Sequence, residues 1–107
     1  MGYRVSQVAQ IKYGEFGAYV KTVRKLEAIY RERGWASMRI IVPTAGPNNE
    51  IVVELEYPDL ATFERENKAF YADEEAFAAF RAGAEFVVAG SARTEIYEDV
   101  PGELGNG

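Results

Sequence analysis

The chain has 107 residues, 48% of them hydrophobic and 27% charged, a net charge of −5, and neither histidine nor cysteine. The missing residue types exclude disulfides, thiolate nucleophiles, histidine general bases and most zinc or haem sites, so we expect neither a metal nor a cofactor. Twelve basic residues are scattered among seventeen acidic ones, and no apolar run approaches the roughly 20 residues of a membrane span, so we expect a cytoplasmic protein that binds neither nucleic acid nor membrane.

The first third of the chain changes from a strand period to a helix period. Residues 3–12 alternate in a two-residue period, which predicts a half-buried strand with Gln7 as the polar residue on its inner face. A shift of one residue would exchange Gln7 for Val8 as the inward group. From Gly14 to Arg33 apolar residues recur every three or four positions, which predicts an amphipathic helix that Gly34 ends.

The next segment predicts a β-hairpin. Two β-rich runs, Trp35 to Pro43 and Glu50 to Tyr57, are separated by a loop of turn-forming residues. If Pro43 lies opposite Glu50, one face of the hairpin is aliphatic and the other brings Arg39 opposite Glu54.

Two helices and a strand complete the predicted elements. Asp59 is placed to cap a helix whose inner stripe includes Phe63, Asn67 and Phe70, and a second helix starts at Asp73 and carries Phe77 and Phe80. The last strand is predicted over residues 86–98, with Thr94 on its inner face.

This element order describes one α+β domain, residues 1–98, followed by a flexible tail, residues 99–107. It is the order of the ferredoxin-like split βαβ fold, whose antiparallel four-stranded sheet carries helices on one face only. The other face of the sheet carries aliphatic residues and an indole among charged residues that can form ion pairs. This combination is typical of a face where two sheets meet. We therefore expect this uncovered face to form a dimer interface containing Trp35, Arg39, Ile41, Val52, Glu54 and Arg93.

The sequence also resembles a known group of proteins. The segments YPDLATFE (57–64) and FYADEEAFAAF (70–80), together with the sheet pattern, resemble the dimeric α/β-barrel proteins. Within this group residues 3–98 are most similar to the NIPSNAP-like branch, with the antibiotic-biosynthesis-monooxygenase type close by. The resemblance implies a homodimer whose sheets pack face to face, with ligands held between each sheet and its helices.

Three polar residues are the candidates for a ligand site. Gln7, Asn67 and Thr94 interrupt apolar stripes that face the space between sheet and helices. Buried polar groups need partners, so these three either bond to one another or orient a ligand. Aromatic residues at helical spacing form either core or the wall of such a pocket: Tyr57, Phe63, Phe70, Phe77 and Phe80.

Two acidic groups have simpler explanations than catalysis or metal binding. Glu54 and Glu56 share a strand face, where an ion pair with Arg39 accounts for them better than an acid–base pair does. The acidic residues 73–75 suit the first turn of a helix and need no metal.

Three functions remain open, and no catalytic residue is assigned. The preferred hypothesis is a homodimer that binds a small, mainly apolar or aromatic molecule between sheet and helices. The first alternative is a cofactor-independent monooxygenase or isomerase acting on an aromatic, polyketide-like substrate. The second is a subunit whose only role is dimerisation, which requires a filled interior.

Overall fold

The computed structural model describes residues 2–101, so most of the predicted tail, residues 102–107, lies outside the described residues. The elements, in chain order, are β1 (Tyr3–Gln10), α1 (Phe16–Arg33), β2 (Met38–Ile41), β3 (Glu50–Tyr57), α2 (Leu60–Ala72), α3 (Glu74–Ala82) and β4 (Arg93–Glu98), with a 3₁₀ turn at Ala84–Phe86. Of the helices formed by residues 2–101, none combines the length and apolarity needed to cross a bilayer.

The four strands form one antiparallel sheet in the order β2-β3-β1-β4. Met38 pairs with Leu55 and Arg39 with Glu54, which is the predicted register of the hairpin. With the helices on one side of this sheet, the chain has the ferredoxin-like α+β fold expected from its sequence.

The predicted facing of β1 is confirmed. Val5 belongs to one buried cluster with Val23 of α1, and Ala9 belongs to another against which Tyr19 and Val20 of the same helix pack. Because side chains alternate along a strand, Gln7 lies between them on the helix side.

The core lies between the sheet and the helix layer, where α1 and α2 pack against the sheet and α3 packs against the other two helices. Helix α1 buries Val23, Leu26 and Ile29, and α3 buries Ala76 and Ala79 in one cluster with Leu26 and Ile29. Full burial of an aliphatic side chain of this size stabilises a fold by about 1.5–3 kcal/mol. The small alanines of α3 let the two helices approach closely.

The helix ends follow the predicted capping residues. Gly34 ends α1 with φ of +72°, a conformation that favours glycine. Asp59 accepts a hydrogen bond from the Thr62 N–H at 2.7 Å, and Asp73 accepts one from the Ala76 N–H at 3.0 Å. These carboxylates satisfy donors that a helix start otherwise leaves unpaired.

Trp35 does not lie on the uncovered face, contrary to the prediction. Its N–H donates to the Tyr30 carbonyl at 2.9 Å, and its ring meets the Tyr30 ring edge-on at 5.0 Å, within the cluster of α1, α2 and α3. The next N–H, of Ala36, donates to the Glu66 carboxylate at 2.8 Å. Both donors are used outside the sheet, so β2 begins only at Met38.

The last strand is shorter than predicted. Residues 84–86 form the 3₁₀ turn, and Gly90 has φ of +79°. The intervening segment contacts the end of β1 through isolated hydrogen bonds, such as the one that the Val88 N–H donates to the Gln10 carbonyl at 2.8 Å. The alternation of residues 86–92 is therefore not a strand ladder, and β4 begins at Arg93.

Candidate functional site

A cleft of about 710 Å³ lies between the helix side of the sheet and the three helices. The helices cover the middle of the sheet, where Val5 and Leu55 are buried, but they leave β4 accessible, and Ile96 is 48% exposed. The irregular segment 84–92 borders the cleft beside β4. Ligand sites in proteins typically have volumes of about 300–1,000 Å³.

Most of the cleft lining is apolar and is continuous with the core. It includes members of the buried clusters together with aromatic residues of α2 and α3: Val23, Leu26, Val53, Leu55, Phe70, Tyr71 and Phe80. Tyr71 is 62% exposed and Phe80 51%, and their rings meet that of Phe70 at 5.1 and 5.6 Å. Exposed aromatic rings thus lie where an apolar ligand would contact the cleft.

The three predicted polar residues all line this cleft. Strand pairing places Gln7 opposite Thr94, and the Thr94 hydroxyl donates to Oε1 of Gln7 at 2.8 Å. Asn67 reaches the same cleft from α2. All three side chains are exposed rather than buried, so they do not form the closed internal cluster that one interpretation of the sequence required.

Two tyrosines add neutral donors to the lining. Burial raises the pKa of Tyr19 and, more strongly, that of Tyr30, and both residues border the cleft. Their phenols are therefore protonated at neutral pH and can donate hydrogen bonds, but they are unsuited to act as general bases there.

Of the predicted aromatic residues, Phe70 and Phe80 line the cleft, whereas Tyr57, Phe63 and Phe77 do not. Tyr57 is buried against the edge of Phe63, with ring centroids 5.3 Å apart. Phe77 packs on Phe70 at 5.9 Å within the helix cluster. These three residues therefore pack in the core, which is the other role that the sequence analysis gave to aromatic residues at helical spacing.

The sequence reasoning missed a tight contact at the inner end of the cleft. Gly83 is buried, and a methyl group on it would lie 2.8 Å from Oγ1 of Thr22 and 3.2 Å from the Tyr19 ring. All three residues line the cleft. Hydrophobic periodicity carries no information about a glycine, so the only signal was a glycine near the end of a predicted helix.

The uncovered sheet face carries a network of ion pairs. Arg39 pairs with Glu54, as predicted, and Arg4 lies 3.5 Å from Glu54 and 3.3 Å from Glu56. Both glutamates therefore lie on the side of the sheet opposite the cleft, away from its polar groups. Ile41, 40% exposed, and half-buried Val52 lie on this face with them.

The acidic start of α3 is occupied by protein partners. Asp73 accepts hydrogen bonds from Arg33 Nε at 2.8 Å and from the Ala76 N–H, and Glu75 pairs with the same guanidinium at 2.7 Å. Within residues 2–101, no group of three or more acidic side chains is arranged to hold a metal ion.

Together, the order of the strands and the one-sided helix layer define a ferredoxin-like α+β protein. Solved structures similar to this fold include NIPSNAP family proteins and antibiotic-biosynthesis-monooxygenase-like domains. A NIPSNAP family protein from Agrobacterium tumefaciens superposes with a TM-score of 0.74 at 17% identity, covering 94% of each chain.

Two further structures illustrate the range of this group. An uncharacterised NIPSNAP domain protein from Burkholderia xenovorans has a TM-score of 0.76 at 14% identity, over 92% of this chain and 94% of the other. A putative antibiotic biosynthesis monooxygenase from Nitrosomonas europaea has a TM-score of 0.72 at 13% identity, over 92% and 90%. No protein-family model and no curated protein sequence matches the chain.

Proposed function

We propose that this protein is a homodimer that binds a small, mainly apolar or aromatic molecule in the cleft between its sheet and its helices. The observation that carries the proposal is the cleft itself, a space of about 710 Å³ with aliphatic and aromatic lining and a few polar side chains. That combination of size and chemistry is typical of small-molecule sites.

The uncovered sheet face supports the homodimer. Exposed Ile41 and half-buried Val52 lie there among arginine and glutamate side chains that already pair within the chain. Charges neutralised in this way are less costly to bury against a second copy than isolated charges are. In the group that the sequence resembles, two sheets pack through this face.

The binding proposal is tested with the neutral fluorescent probe N-phenyl-1-naphthylamine. We expect saturable fluorescence enhancement and a rise in the melting temperature with probe concentration, because a ligand that binds only the folded state stabilises it. Ala92→Trp adds a large ring at an exposed position of the lining and is expected to weaken probe binding at least tenfold. Ala61→Trp, at an exposed position of α2 outside the lining, is the matched control.

Equal probe binding by both tryptophan variants would contradict the location of the site. An absence of saturable binding by the unaltered protein would contradict the function.

A second candidate function is a cofactor-independent monooxygenase. Its support is the similarity to the fold of the Nitrosomonas europaea protein and the amides of Gln7 and Asn67 on the cleft lining. Such an enzyme converts an activated methylene and O₂ into a carbonyl and water, with the substrate supplying all the electrons. Oxygen uptake with anthrone, measured for the wild type and for Asn67→Ala and Gln7→Ala, tests it. Probe binding without catalysed uptake favours the binding protein.

The third hypothesis, a subunit that serves only dimerisation, required a filled interior. The volume of the cleft argues against it.

A further inference from the structure

The hydrogen bond between Thr94 and Gln7 fixes how the cleft presents its amide. The Thr94 hydroxyl donates to Oε1 of Gln7 at 2.8 Å, and the two residues pair directly across β1 and β4. A glutamine amide has one acceptor oxygen and one NH₂ group with two donors. The Thr94 hydroxyl orients this amide by occupying one of the two lone pairs of its oxygen, and the NH₂ group of Gln7 donates to no partner among the described residues, so both of its N–H donors are available to a ligand.

The remaining polar groups of the lining are also neutral. Burial keeps the phenols of Tyr19 and Tyr30 protonated by raising their pKa values, and Asn67 contributes an uncharged amide. Among residues 2–101, the one charged residue on the lining is Arg93. Its strand position, opposite Val8, faces the other side of the sheet, and there its guanidinium is 4.0 Å from Glu50 and 3.6 Å from Glu95.

This distribution discriminates between ligands by charge. An anionic group placed beside Gln7 would lose hydration, and the one cation of the lining, Arg93, already lies near two carboxylates on the other side of the sheet, so that loss is not offset. A neutral carbonyl or ether oxygen loses much less hydration and regains a hydrogen bond from Gln7.

We infer that Gln7 is the specificity-determining donor of the cleft, that Thr94 is its positioning residue, and that the ligand is a neutral aromatic compound bearing a hydrogen-bond-accepting oxygen, such as a ketone or quinone. The inference rests on the proposed binding function and specifies its ligand class.

The test compares three naphthalenes of similar shape by displacement of N-phenyl-1-naphthylamine: 2-acetylnaphthalene, 2-ethylnaphthalene and 2-naphthoate. In Gln7→Leu, binding of the ketone is expected to weaken about five- to tenfold relative to that of the hydrocarbon, the effect of one net hydrogen bond. Comparing the ketone-to-hydrocarbon affinity ratio between the variant and the wild type cancels the difference in hydrophobicity between the two naphthalenes. In the wild type, 2-naphthoate should bind more weakly than the ketone.

Thr94 is tested by a pair of variants. Thr94→Val removes the hydroxyl at nearly constant shape and is expected to shift the ketone-to-hydrocarbon ratio in the same direction as Gln7→Leu. Thr94→Ser keeps the hydroxyl and should retain the wild-type ratio. A merely structural role would change the binding of both naphthalenes equally. Gln7 and Thr94 are exposed, so these variants are expected to fold, which thermal melting checks.

The outcomes separate the two proposals. An absence of saturable N-phenyl-1-naphthylamine binding overturns the inference and the proposed function together, whereas probe binding that neither neutral naphthalene can displace overturns the inference alone. Binding of both with an unchanged ratio in Gln7→Leu, or tighter binding of 2-naphthoate than of the ketone, overturns the inference alone.

Discussion

Gly83 is a residue of the cleft lining that has no room for a side chain. Its φ of −84° is open to any residue, so the restriction is space: a methyl group would meet Oγ1 of Thr22 at 2.8 Å. That hydroxyl cannot easily move because it donates to the Tyr19 carbonyl at 2.7 Å. We expect Gly83→Ala to lower the free energy of unfolding by about 1–3 kcal/mol, as overpacking does in other cores.

Urea unfolding measures this change, with Gly17→Ala as the control. A methyl group at Gly17 meets no atom of the described residues within 4 Å, and the position lies in α1, where alanine is favoured over glycine. Gly17→Ala should therefore stabilise by about 0.5–1 kcal/mol. A neutral or stabilising Gly83→Ala would show that the helices can separate there at no cost.

Buried tyrosines predict a loss of stability at alkaline pH. Burial and, to a lesser extent, Glu66 raise the pKa of Tyr57 to about 12, and burial also raises that of Tyr30. The unfolded chain ionises these phenols near pH 10. Their stabilising contribution is therefore complete below about pH 10 and is lost as the pH rises through the folded pKa values.

Urea unfolding at pH 8 and pH 11 tests this dependence. The Tyr30→Phe/Tyr57→Phe variant has no phenol to ionise at either position, so it should lose less stability between the two pH values than the wild type. An equal loss in both proteins would assign the alkaline effect to other groups.

At the scale of elements, one side-chain cluster joins the end of α1 to the junction of α2 and α3. Arg33 contacts both Asp73 and Glu75, and Asp73 also caps α3. The Arg33 guanidinium and the capping N–H lower the pKa of Asp73. The contribution of the carboxylate is therefore present above its ordinary pKa and is lost as the pH falls through the lowered value.

Asp73→Ala should lower Tm more than Asp59→Ala does, because Asp59 caps α2 whereas Asp73 both caps α3 and pairs with Arg33. We expect a decrease of about 4–8 °C for Asp73→Ala, with partial recovery in Asp73→Ser, which keeps a capping oxygen but not the ion pair. Differential scanning calorimetry gives the three values. Identical Tm values for Asp73→Ala and Asp59→Ala would mean that the ion pair contributes nothing.

The elements also show what the sequence can and cannot predict. Alternating side chains and turn residues predicted the hairpin register. An aspartate before an apolar stripe marked the start of α2 and of α3. Both signals are local in the sequence. Trp35 was assigned to the wrong face because its position depends on two hydrogen bonds. Its own N–H donates to Tyr30, and the N–H of the next residue, Ala36, donates to Glu66. The alternation of side chains within a strand cannot reveal partners that lie on helices.

The same distinction applies to the cleft. Gln7, Asn67 and Thr94 were identified because a polar residue in an apolar stripe is visible in the sequence, and all three line the cleft. Residues 86–92 were predicted as strand, because the actual path of this segment depends on Gly90 at positive φ and on isolated hydrogen bonds to β1. Its place beside the cleft therefore appears only in the folded chain.

At the scale of the whole molecule, the proposed dimer makes a direct prediction about mass. Sedimentation equilibrium should give twice the chain mass of 11.9 kDa. Val52→Lys adds a charge to the centre of the uncovered face, where it is solvated in a single chain but not against a second copy, and should shift the mass toward that of one chain. Val42→Lys is the control, since Val42 is exposed beyond β2 and alternates toward the other face. A monomeric wild type would contradict the dimer.

The central claim, a ligand site between sheet and helices, is tested most directly by mapping amide chemical shifts during titration with N-phenyl-1-naphthylamine. We expect the largest changes at Gln7, Gly83, Gly90 and Thr94, which surround the cleft, and small changes at Arg39 and Glu54 on the opposite face. Changes centred on Arg39 and Glu54, or no changes at millimolar probe, would contradict the account.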